Sequence, residues 1–130
     1  MLIGELAERA GTSARTLRYY EQHGLVRARR SSSGYRVYDE AEVPIVRKIR
    51  ELLELGFDLA DTRPFVTCLR AGNRNGDECP DSVESLRHKL DEVDEAMDRL
   101  AVVRRQLHEQ LADALDIPAA PPKCELSHRY

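Results

Sequence analysis

From Val83 onward, apolar residues recur at alternating steps of three and four: Val83, Leu86, Leu90, Val93, Met97, Leu100, Leu107, Leu111 and Ala114. Only Arg104 interrupts the seam. This is the a/d spacing of a coiled coil. It predicts a helix over 81–115, opened by Pro80, a residue suited to a first helical turn. At 1.5 Å per residue that helix is roughly 45–50 Å long. One helix cannot bury such a seam against itself. Folding back on the preceding residues is the alternative, but they offer too little surface for that length. The pattern therefore points to the same helix of a second subunit, a homodimer.

The composition agrees with a small core plus a long solvated helix, since 33% of the 130 residues are charged and none is Trp. No apolar run approaches the roughly 20 residues of a membrane span. The opening MLIGELAERAG lacks a basic region followed by an apolar one, so a cytoplasmic protein with no membrane association is expected. In that compartment cysteines default to free thiols. With three of them, complete pairing inside one monomer is excluded.

The net charge of −3 conceals an asymmetry. Residues 1–56 hold ten Lys/Arg against eight Asp/Glu, and residues 57–130 hold ten against fifteen. Between 13 and 38 there are six arginines and a single acid, Glu21. A basic stripe on an acidic chain fits a local anionic partner, and a solvated basic loop is the plainer alternative.

Ile3, Leu6, Ala7 and Ala10 fall at helical spacing, and Gly11 ends that helix. Thr12 or Ser13 caps a second helix that runs to about Gln22 and stops at Gly24. Two short helices joined through a glycine turn form a helix-turn-helix. Val26–Arg30 and Tyr35–Tyr38 read as strands joined by Ser31–Gly34, a hairpin wing. Asp39 with Glu42 three residues on suggests a capping box for a third helix, with Val43, Val46, Ile49, Leu52 and Leu53 inward and Gly56 at its end. Asp58 caps a fourth helix reaching Leu69, with Pro64 able to distort its start.

In a helix-turn-helix the second helix enters the major groove. Arg15 and Thr16 lie in its first turn, where Arg suits guanine and the Thr methyl suits a thymine methyl. Arg18 and Tyr19 can hold phosphates, whereas Leu17 and Tyr20 are assigned to the core. The wing offers Arg27, Arg29, Arg30, Tyr35 and Arg36 to the flanking backbone.

The stretch IGELAERAGTSARTLRYYEQHGLVRARRSSSGYRVYDEAEV resembles the N-terminal domain of the MerR family of bacterial transcriptional regulators. TLRYYE, the GL after it, GYRVY in the wing and LGFDL between the third and fourth helices carry the likeness, which covers residues 2–69. The resemblance implies a mainly α protein: a winged helix-turn-helix head with a small β-hairpin wing, followed by a long antiparallel coiled-coil dimerisation helix. It divides the chain into a DNA-binding domain at 1–72, a connecting loop at 73–80, the dimerisation helix at 81–115 and a tail at 116–130. It implies binding to a roughly palindromic operator in double-stranded promoter DNA, with RNA polymerase at the same promoter. An effector then favours a distorted DNA state that costs on the order of 1–6 kcal/mol to reach. Carried over by position, the DNA residues are Arg15, Thr16, Arg18, Tyr19, Tyr35 and Arg36. Leu2 departs from the family, which often has a capping Ser or Thr there.

Metal-sensing members of that family place a Cys at the start of the dimerisation helix and two more in the C-terminal loop. This chain has Cys79 at the helix start, and only Cys124 with His128 in the tail; Cys68 is additional. Three readings stay open. One is a soft-metal site for Zn, Cu(I) or Hg, built from Cys79 of one subunit with Cys124 and His128 of the other. The second is a thiol switch through Cys79, pairing with Cys68; a helix N-terminus favours the thiolate, while Asp77, Glu78 and Asp81 oppose it. The third leaves Cys68 as a small core residue with no cofactor at all. An effector-independent architectural or excisionase-like DNA binder is the alternative function. An enzyme is not expected, since no Ser/His/Asp set, phosphate loop or carboxylate pair stands out.

Overall fold

The computed structural model describes residues 1–117, so Cys124 and His128 lie outside the described residues. Helix α1 spans Ile3–Ala10 and turns Leu6, Ala7 and Ala10 inward. Leu2 stands at its N-cap with no side-chain cap, as its hydrocarbon side chain requires. Gly11 closes the helix at φ +74°, where a residue with a Cβ would be strained. Helix α2 spans Ala14–Gln22, with Ser13 as its cap.

The wing is shorter than its sequence pattern. Strands β1 (Arg29–Arg30) and β2 (Arg36–Val37) pair antiparallel, Arg29 opposite Val37 and Arg30 opposite Arg36. Val26 and Tyr38, expected at the strand ends, are buried in the core instead. Helix α3 spans Glu42–Glu54. Its capping box is absent: Ala41 is the N-cap, Asp39 pairs with Arg29 at 2.7 Å, and Glu42 is turned inward. The reason is Arg70. Its guanidinium grips the Glu42 carboxylate through two nitrogens, each at 2.9 Å, and a buried carboxylate so held cannot also cap its own helix. Leu59–Thr62 forms a 3-10 turn, and helix α4 follows over Arg63–Arg70 with Pro64 in its first turn. The expected single helix from Asp58 is thus two segments, because proline fits a helix start and not its interior.

Leu6, Leu17, Tyr20, Leu25, Val26, Tyr38, Val46, Ile49 and Val66 form the main core. Leu52, Phe57 and Phe65 form a second cluster, with the two rings edge to face at 5.6 Å. Helix α5 spans Pro80–Asp116, a single helix of 37 residues. Leu86 packs on the second cluster, so the first part of the expected seam is used by the head. The chain separates into two units, Met1–Leu90 and Asp91–Tyr130. In the second, the seam positions Val93, Met97, Leu100, Leu107 and Leu111 are exposed along the helix. No described helix is long and apolar enough to cross a membrane.

Candidate nucleic-acid interface

Helix α2 has two unlike faces. Leu17 and Tyr20 are buried, and the opposite face exposes Arg15, Arg18 and Tyr19. Ser13 shapes the start of the helix: its Oγ accepts the Thr16 N–H at 3.1 Å and donates to Thr16 Oγ1 at 3.0 Å. Thr16 is therefore half-buried and already bound to the cap. Tyr19 rests its ring against His23, with centroids 4.4 Å apart. Among the described residues, Arg15 and Arg18 make no hydrogen bond or ion pair through their guanidinium groups. Both are charged groups with their full donor capacity unspent.

The wing arginines are more committed. Arg30 donates to the Gly34 carbonyl at 2.9 Å across the turn, and Arg36 ion-pairs with Glu21. Tyr38 also donates to Glu21, at 2.7 Å. The Tyr38 phenol is pushed up to about 12, chiefly by burial and next by its bond to this carboxylate. Tyr35 is 68% exposed at the wing tip. The sequence reading assigned no role to Glu21 or Tyr38. Yet Glu21 is the one acid in the basic stretch, and an isolated acid among six arginines signals an internal tie. Here it fastens α2 to β2 and lowers the free positive charge that Arg36 offers.

Helix α4 supports this surface from below. Arg63 donates to the His23 carbonyl at 2.6 Å, just past the end of α2. Arg70 donates to the Leu25 carbonyl at 2.8 Å, and Glu42 accepts the Arg27 N–H at 2.8 Å. The segment joining α2 to the wing is thus held by α4 at His23 and Leu25 and by Glu42 of α3 at Arg27.

Cys68 and Cys79 form a disulfide, with Cα atoms 5.8 Å apart. This corrects the expectation of free thiols at both positions and agrees with the pairing of Cys79 with Cys68. The loop between them makes the approach possible. Gly76 sits at φ +82°, where a Cβ would lie 2.9 Å from the Phe65 carbonyl oxygen, and the Lys48 ammonium lies 2.8 Å from Asp77.

A family model for the MerR HTH family regulatory protein matches residues 1–66, and a second, described as MerR, DNA binding, matches residues 45–110. The chain belongs to the MerR family. It is therefore a DNA-binding transcriptional regulator and not an enzyme. Among MerR relatives, the HTH-type transcriptional regulator HmrR of Rhizobium leguminosarum bv. viciae is 35% identical and covers 98% of each chain. The mercuric resistance operon regulatory protein of Bacillus cereus is 30% identical over 81% of this chain and 78% of that one. The fold matches the transcription regulator PbrR691 from Ralstonia metallidurans CH34 in complex with lead(II). That match has a TM-score of 0.69 at 24% identity, over 96% of this chain and 94% of the other.

A soft metal ion needs thiolate or imidazole donors. Among the described residues no group of three or more His, Cys, Asp or Glu side chains converges. Cys79 is the described member of the expected set, and its sulfur is bonded to Cys68. In this state the described residues do not fit a metal ion.

Proposed function

We propose that this MerR-family chain binds a palindromic promoter operator as a cytoplasmic homodimer and distorts the DNA in response to a thiol-reactive or soft-metal effector. The observation that carries the DNA reading is the pair of uncommitted guanidiniums, Arg15 and Arg18, on the exposed face of a helix whose other face is core. Set in a major groove, Arg15 and Thr16 reach base edges, while Arg18 and Tyr19 meet phosphates. Arg30, Tyr35 and Arg36 lie on the wing, beside the flanking backbone. The exposed seam of α5 supports pairing with a second copy, and the antiparallel arrangement follows the family resemblance. RNA polymerase is the second partner at the promoter.

Two similar proteins support a thiophilic effector: one regulates a mercuric resistance operon and another was solved with lead(II). On this chain the residues for that chemistry are Cys68, Cys79, Cys124 and His128. Zn, Cu(I) and Hg suit such donors once Cys79 is a free thiolate.

The test is operator selection from a random duplex library, followed by fluorescence anisotropy on the selected site. Arg15→Ala and Arg18→Ala should each weaken binding, by about 1–3 kcal/mol where a bidentate base contact is lost. Unchanged affinity in both variants would remove α2 as the reading helix.

A further inference from the structure

Cys68 and Cys79 lie at a structural junction, and the surroundings bear on more than their bond. Cys68 is buried on α4, 1% exposed. Cys79 is half-buried and precedes the first turn of α5. Both line an open cleft of about 470 Å³, together with Arg63, Thr67 and Asp81. That volume is within the range of small-molecule sites. The loop between the cysteines has its own supports: the Lys48–Asp77 ion pair, the tight Gly76 turn, and Asn73, whose amide donates to the Cys68 carbonyl at 3.0 Å. None of these supports is made by the disulfide itself, so they favour the two sulfurs staying within reach of each other when it opens.

The other side of α4 faces the DNA-reading elements. Arg63 and Arg70, on either side of Cys68, hold the carbonyls of His23 and Leu25, the residues between α2 and the wing. A covalent tie from α4 to the start of α5 therefore bears on a helix that also holds the segment between the reading helix and the wing.

We propose that Cys68 and Cys79 are a redox-active dithiol that takes low-molecular-weight disulfides as its oxidant, and that α4 transmits its state to the α2–wing segment. This rests on the DNA-binding reading above and specifies its effector. Cys79, the more accessible, attacks one sulfur of the small disulfide. A mixed disulfide forms in the cleft and one thiolate leaves. The Cys68 thiolate then attacks the Cys79 sulfur, closing the internal bond and releasing the second thiolate. The protein loses two electrons and two protons, and the small disulfide is reduced to two thiols. Excess small thiol runs the sequence backward.

The full-length protein would be equilibrated in glutathione buffers of graded oxidised-to-reduced ratio. Alkylation with intact-mass analysis reads the bond, amide hydrogen exchange reads residues 23–30, and anisotropy reads affinity for the selected operator. The pair should open and close reversibly without unfolding, and exchange at 23–30 should rise when it opens. Operator affinity should differ by at least about five-fold between the states. Cys79→Ser should erase the difference while retaining DNA binding. Arg63→Met, which removes the bond to the His23 carbonyl, should shrink it. A bond that opens only on unfolding, or two states alike in exchange and affinity, would make the disulfide a plain structural staple. If neither state bound DNA, the regulator reading would fail, while hydrogen exchange would still decide the fate of the switch.

Discussion

Arg70→Met tests the account of how α4 is held. The substitution removes two donors from a carboxylate whose side chain is 5% exposed and leaves it only the Arg27 N–H. It also strips the Leu25 carbonyl of its donor. Breaking a buried ion pair from one side costs about 3–5 kcal/mol, because the surviving charge stays desolvated. Arg70 is 18% exposed, so water can partly replace it, and the expected loss is near the lower end, about 3 kcal/mol. Against a typical total of about 5–15 kcal/mol this is large. The double variant Arg70→Met with Glu42→Leu should recover part of the loss, since no charge is then left unpaired. Urea unfolding followed by far-ultraviolet circular dichroism would measure both, at one protein concentration because association contributes to stability. A loss below about 1 kcal/mol in the single variant would refute the argument, as would a double variant whose loss equals the sum of the singles.

Charged residues at the α5 seam, Leu90→Asp with Val93→Asp, should give monomers or aggregates, because pairing would bury an unpaired charge; a dimer surviving in sedimentation would remove the seam as the interface. Tyr38 makes stability depend on alkaline pH. Its folded value lies near 12 and its ordinary value near 10, so the unfolded chain loses this proton first. The contribution is complete below about pH 10 and is lost as pH rises towards 12. Tyr38→Phe should flatten that part of the profile, and an unaltered profile would exclude Tyr38 as its source. Gly76→Ala should lose more than about 1 kcal/mol in thermal unfolding, because positive φ and the Phe65 carbonyl both oppose a Cβ; a neutral result would mean the loop yields at little cost.

What could be read from the sequence was what neighbouring residues decide. Gly11 and Gly56 end their helices as glycines placed just past an apolar periodicity do. Leu17 and Tyr20 fall inward because helical spacing puts them on the face shared with the core. Apart from the helix that Pro64 divides, the misreadings came from distant partners. Asp39 and Glu42 have the spacing of a capping box, but Glu42 answers to Arg70, 28 residues away. Arg36 reads as a free cation, yet Glu21 reaches it from another element. The pairing of Cys68 with Cys79 stays one reading among three in the sequence, because nothing local announces the tight loop that joins them. The surface of α2 was legible in outline, since Arg15, Arg18 and Tyr19 are exposed as their positions imply. How the wing and α2 are fastened together was not, because that fastening depends on Tyr38 and Glu21 meeting across the fold.

The Ser13–Thr16 cap bears on how such a protein could change its target. Thr16 supplies the hydroxyl that completes the cap and, on the reading proposed here, also faces the bases. A replacement there that alters recognition keeps the N–H bond to Ser13 Oγ but gives up the hydroxyl contact, so new specificities at this position arrive with a slightly weaker cap. Arg15, one residue earlier, supports nothing else among the described residues. Divergence towards new operators is thus expected to begin at position 15, with position 16 following only in backgrounds that can spare some stability.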